Sequence, residues 1–167
     1  MNGRRGLGSN GEIKMKWLQL KIPPPVYALS IGIIMWLLNQ YFPVAHWISS
    51  PWNRIGLGII VITFFLDLSS LYLFLKKQTT PNPMSPKSTK SLVTKGLYKY
   101  SRNPMYVGLL TILFGYGIWL GSITPFLALP LFYWLITTQQ IIPEETILED
   151  KFGVEYLDYK ARVRRWL

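Results

Sequence analysis

Between Arg102 and Glu144 stand 41 consecutive residues without a single Asp, Glu, Lys or Arg. A membrane-spanning helix needs only about 20 apolar residues. Gly121-Ser122-Ile123-Thr124-Pro125 places a turn signal in the middle of the run. The stretch therefore reads as two spans, Met105–Leu120 and Phe126–Ile142, joined as a tight hairpin.

Two further apolar runs precede it. Val26–Phe42 carries no charge and follows Pro23-Pro24-Pro25, where proline is tolerated at a helix start. Ile55–Leu75 holds 21 residues with one charge, Asp67. The expected fold class is an all-α integral membrane protein with four transmembrane helices and a C-terminal amphipathic cytoplasmic helix, forming one domain over residues 1–167. Composition agrees: half of the residues are hydrophobic and 16% are charged, against about 25% in soluble domains. The absence of cysteine removes disulfides, thiolate metal sites and cysteine nucleophiles. His46, the single histidine, leaves a His-based zinc site or Ser-His-Asp triad without its parts, so no metal is expected. Its place in an outer loop suggests solvation.

The net charge of +10 is explained by its distribution. Lys and Arg number five in the basic N-terminal segment (1–22), one in Pro43–Arg54 and seven in Lys76–Arg102. None stands around Gly121, and five follow Ile142. By the positive-inside rule both termini and the second loop face the cytoplasm. The excess thus reflects topology and contact with membrane lipids, not nucleic acid, for which base-reading motifs are missing. No small-residue cleavage site follows the first apolar run, so a signal peptide is not expected.

The second loop, with Pro81, Pro83 and Pro86, is long enough to suggest function or disorder. Beyond Ile142 the pattern reads as a helix. Pro143 stands in its first turn, acidic residues suit the positive end of its dipole, and Gly153 is a break. Leu148, Phe152, Tyr156 and Tyr159 share one face by the helical period. Gly115-x-Gly117 within a span suggests helix packing. Asp67 in mid-span is costly and a functional candidate by default, with bonding to a neighbouring helix as the plainer reading.

Chemically suggestive residues gather at two places. One is Gly96–Gly108, with the pattern G-x-Y-x-x-x-R-N-P-x-Y-x-G. The other starts at Glu144-Glu145, with E-E-x-x-L-x-x-x-F-G-x-x-Y-x-x-Y-x-x-R-V-x-R. The hairpin brings both to one cytoplasmic end, making Arg102 and the Glu144-Glu145 pair neighbours. Each also has a plain reading: Arg102 as a snorkelling interface arginine, the glutamates as helix-start carboxylates and the tyrosines as an aromatic belt.

The ordered pair of patterns resembles the isoprenylcysteine carboxyl methyltransferase family and its bacterial relatives, over about residues 92–167. Phospholipid N-methyltransferases share the general layout. The resemblance implies a membrane methyltransferase that uses S-adenosylmethionine and, among bacterial relatives, sits in the inner membrane. Its acceptor would be a lipophilic small molecule or lipid. The resemblance also implies a cofactor wall of Tyr98, Arg102, Asn103, Pro104 and Tyr106 facing Glu144 and Glu145, with Arg102, Glu144 and Glu145 catalytic. Two positions depart from the family: Leu97 stands where proline is common, and Asn103 where histidine is common. Asparagine donates and accepts hydrogen bonds but does not titrate.

A carboxylate acceptor would suit the Arg102 fork, and an amine or thiol would need Glu144 or Glu145 as base. The glutamates would alternatively hold the cofactor's ammonium or ribose. A lipid acceptor would enter through a lateral opening near the second and third spans. Two rival readings remain at this level. One is an NADPH-dependent reductase, since sterol reductases resemble this C-terminal half. The other is a non-catalytic membrane adaptor.

Overall fold

The computed structural model describes residues 19–76 and 92–167. Most of the basic N-terminal segment and the proline-bearing part of the second loop lie outside the described residues. The described residues include six α-helices: α1 Pro24–Tyr41, α2 Ile55–Lys76, α3 Pro104–Leu120, α4 Leu129–Ile136, α5 Ile142–Phe152 and α6 Val154–Arg162. There is no β-strand among the described residues, so the all-helical expectation holds. Helix α1 starts two residues earlier than expected because Pro24 and Pro25 fit its first turn, where N–H groups have no intrahelical partner.

Two helical stretches are long and apolar enough to cross a membrane, Trp52–Tyr72 and Thr124–Phe152. Helix α3 is apolar but shorter. Most of Trp52–Tyr72 is not buried within the protein. Its Val61, Ile62, Phe64 and Phe65 face outward, which suits a hydrocarbon surround. The core joins Ile31 and Met35 of α1, Leu113 of α3 and Phe132 and Ile136 of α4.

Helices α2 and α3 share the most extensive interface. It is made close by glycine: a Cβ at Gly115 would lie 2.8 Å from the Gly56 carbonyl oxygen. Small residues let helix backbones approach where lipid supplies no hydrophobic drive. Gly117 meets Phe126 and Met35 in the same way, so Gly115-x-Gly117 is a packing element. The hairpin turn forms at Gly121, which takes φ +83° and would press a Cβ onto Ile48 O at 2.7 Å. The 43–50 loop closes over this turn through Trp47 N–H to Gly121 O and Ile123 N–H to Ala45 O. His46 is exposed there.

The stretch expected to form a fourth span differs from expectation. It does not stop at Ile142 before a separate tail helix. From Thr124 a 3₁₀ turn, α4, a π-helical segment Thr137–Ile141 and α5 run on as one path to Phe152. Pro143 explains the π segment. It has no N–H to give the carbonyl four residues back, at Gln139. That carbonyl instead accepts the Leu20 N–H at 3.1 Å. Gly153, at φ +52°, ends α5 and starts α6. The expected tail face is therefore divided: Tyr156 and Tyr159 are buried, while Leu148 and Phe152 are half-buried.

Candidate active site

The first turn of α3 is built from the motif itself. Gly96–Lys99 forms a 3₁₀ turn that buries Tyr98, and Pro104 opens the helix. Arg102 and Asn103 sit between them and meet the C-terminal tail. After α6 the chain turns back alongside the motif. The Arg102 N–H donates to Arg164 O at 2.9 Å. The Asn103 Nδ2 amide donates to Arg165 O at 3.0 Å. Trp166 then stacks on Tyr133 of α4, with ring centroids 4.8 Å apart.

This clasp arranges the charges. Arg102 Nη2 meets Glu145 Oε1 at 3.0 Å, and the two side chains are 8% and 7% exposed. Arg165 meets both oxygens of the same carboxylate, Nη2 with Oε2 at 2.8 Å and Nε with Oε1 at 3.1 Å. Glu145 thus holds two guanidinium groups. Glu144 has a different environment: it accepts the Tyr106 hydroxyl at 3.0 Å. Tyr159, from α6, donates its hydroxyl to Tyr98 O at 2.7 Å. Burial pushes the Tyr98 phenol up, and the carboxylate of Glu144, then Tyr159 and the carboxylate of Asp67, push it further.

Arg102 and the Glu144-Glu145 pair are therefore at one end of the α3–α4 hairpin, and Tyr98, Pro104 and Tyr106 are buried beside them. Asn103 is spent on the tail carbonyl. The sequence patterns contain Arg165 and Tyr159 but give neither a role. Their signal was the tail spacing R-V-x-R and Y-x-x-Y, whose partners lie 20 residues away for Arg165, at Glu145, and 61 for Tyr159, at Tyr98. No cluster of His, Cys, Asp and Glu able to hold a metal occurs among the described residues.

The remaining capacity of the site is specific. Arg102 Nε and Nη1 are buried with no hydrogen-bond partner. Buried donors without partners are costly, so Nε and Nη1 retain the capacity to donate to an acceptor. Leu110, Thr111, Phe114, Leu129, Pro130 and Tyr133 line an open apolar groove of about 380 Å³ between α3 and α4, and Tyr133 also stacks on Trp166 of the tail. The expected opening was near the second and third spans. The Gly56–Gly115 contact closes α2 on α3 at the end of these helices away from Arg102.

Comparison with known proteins follows this geometry. Residues 52–155 match the phospholipid methyltransferase family. The match includes α2, one helix earlier than the motifs alone. The chain is 49% identical over 63 residues, 38% of its length, to the whole of an uncharacterized protein of Haemophilus influenzae. It is 30% identical over 120 residues (71% of the chain, 50% of the relative) to the protein-S-isoprenylcysteine O-methyltransferase of Schizosaccharomyces pombe. Against the Rattus norvegicus enzyme of that name it is 32% identical over 143 residues, 83% of the chain and 48% of the relative. The chain spans about half the length of these isoprenylcysteine methyltransferases. No solved structure matches it. The matched region holds α2, the Arg102 motif, the uncharged hairpin and the Glu144-Glu145 pair together, and the chain belongs to the phospholipid methyltransferase family, with isoprenylcysteine methyltransferases among its relatives.

Proposed function

We propose that this protein transfers a methyl group from S-adenosylmethionine to a lipophilic small molecule or lipid at the cytoplasmic face of a bacterial inner membrane. Four spans cross it, formed by α1, α2, α3 and the path through α4, with both termini cytoplasmic. The basic residues at alternate segments support that orientation, and the outward apolar faces of α1 and α2 support the setting.

The observation that carries the reading is the unpartnered edge of Arg102, held in place by Glu145. S-adenosylmethionine bears a carboxylate that this edge fits, and Glu144 suits its ammonium. When bound, the cofactor supplies an activated methyl group that needs no metal. The chain's part is then to bind, orient and exclude water. Glu145 fixes the Arg102 guanidinium through Nη2, so the remaining donors present one orientation. Tyr106 holds Glu144 by its hydroxyl, and Tyr159 holds the turn carrying Tyr98. Tyr98, Pro104 and Tyr106 wall the site against water. The apolar groove between α3 and α4 gives an acyl or prenyl chain a place beside it. An in-line transfer depends on such positioning. For an acceptor that must lose a proton, Glu144 is the free base, since Glu145 is committed to two arginines.

The test is methyl transfer. Purified protein in nanodiscs, given S-adenosylmethionine labelled in the methyl group and a bacterial lipid extract, should place label in the organic phase. Label that stays aqueous, together with binding of NADPH, would replace this reading with the reductase one.

A further inference from the structure

Asp67 is a carboxylate on α2, deep in an apolar helix, that the site as described does not use. Its position is built rather than accidental. Its carboxylate lies against Gly108 on α3, and a Cβ at Gly108 would overlap both carboxylate oxygens. The glycine leaves a slot that the acid fills. Gly108 is two residues beyond Tyr106, whose hydroxyl engages Glu144 from the α5 side. Asp67 and Glu144 thus both meet the first turns of α3, at Gly108 and Tyr106, and both carboxylates raise the Tyr98 phenol.

The charges at this end do not balance. Arg102 and Arg165 both bind Glu145. Among the described residues neither Asp67 nor Glu144 has a lysine or arginine within ion-pair distance. At the same end the Arg102 side chain is more than nine-tenths buried, with two donors unpartnered. Its charge reaches Tyr159, which bonds the Tyr98 carbonyl. An open cationic edge beside unneutralised carboxylates is the complement of a molecule with both signs of charge. Unpaired charges at membrane depth are costly unless a ligand answers them.

We propose that Asp67 is a ligand-binding residue of this site that receives a cationic ammonium group, with Gly108 as the slot that positions it. The proposal deepens the reading of the site as one for S-adenosylmethionine and a lipophilic acceptor. The ammonium has two possible sources, the amino-acid end of the cofactor or a protonated amine on the acceptor. In either case Asp67 acts by ion pairing and takes no part in bond making.

The experiment measures binding in detergent micelles with three probes: S-adenosylhomocysteine, dodecylamine and dodecanoic acid. Wild-type protein should bind the amine at least about tenfold more tightly than the acid, or bind S-adenosylhomocysteine in a way that depends on Asp67. Asp67→Asn should weaken one of these two by about tenfold or more. Loss with dodecylamine alone assigns the ammonium to the acceptor, and loss with S-adenosylhomocysteine alone assigns it to the cofactor. Binding of both probes within twofold of wild type by folded Asp67→Asn overturns the proposal. If that variant does not fold, the wild-type preference decides, and equal or tighter binding of the acid overturns it. Failure of wild-type protein to bind S-adenosylhomocysteine would count against the cofactor reading while leaving the amine comparison to judge Asp67.

Discussion

The Arg102 guanidinium stands 3.0 Å from the Glu145 carboxylate, with less than a tenth of either side chain exposed. The pair uses Nη2 and leaves Nε and Nη1, on different edges of the guanidinium, buried without hydrogen-bond partners. A pair that existed only for stability would gain by satisfying both ends, since unmade bonds on buried charge are costly. On the proposed function, these donors are what a bound anion would engage.

Arg102→Lys keeps the charge but removes the fork. Methyl transfer should fall by of order 10²-fold, because several kcal/mol of positioning is lost. Single-turnover rates in nanodiscs measure this. Wild-type rates in a folded Arg102→Lys protein would contradict the role of the fork.

Arg165 meets the same carboxylate from a more exposed position, its side chain being 37% exposed. Arg165→Met should therefore cost about 1 kcal/mol or less in stability, with a smaller activity loss than any Arg102 variant. Thermal unfolding and turnover compared across the two positions test the ranking.

Tyr159 donates to the Tyr98 carbonyl, and Tyr159→Phe should cost about 1 kcal/mol. Burial pushes its phenol up to about 12, against the pull of Arg102. A folded value above the unfolded one of about 10 means that the contribution is complete below pH 10. It should fade as pH rises through about 12. Melting curves of both proteins from pH 7 to 12 should converge at the alkaline end.

Gly115→Ala should loosen the α2–α3 crossing, because the new methyl meets the Gly56 carbonyl at 2.8 Å. Gly58→Ala is the matched control, since nothing lies within 4 Å of its Cβ. The control should be neutral or slightly stabilising by helix propensity. A lower melting temperature for Gly115→Ala alone is the expected result.

A reporter fused after Leu167 should be active only in its cytoplasmic form, as the basic-residue distribution requires. Periplasmic activity there would contradict the four-span orientation.

The helices and the meeting of the motifs were legible because they rest on local signals: uncharged runs, prolines at helix starts and Gly121 at the turn. Glu144 and Glu145 were not distinguishable, since adjacent residues differ only in which way a helix turns them. The tail arginine that pairs with Glu145 was invisible for a related reason, as its approach depends on the break at Gly153 and the fold-back beyond α6. The π segment had a signal in Pro143, but its consequence required Leu20 to be known as the donor. Asp67 was marked as costly, and only the Gly108 slot on another helix shows how it is accommodated.

The most direct measurement of the central claim is calorimetric binding of S-adenosylhomocysteine to detergent-purified wild-type, Arg102→Lys and Arg102→Ala proteins. The account predicts saturable one-site binding to wild type, weakened by about tenfold or more in both variants while their melting temperatures stay above the binding temperature. Equal affinity in all three proteins, or no binding to wild type, would contradict it.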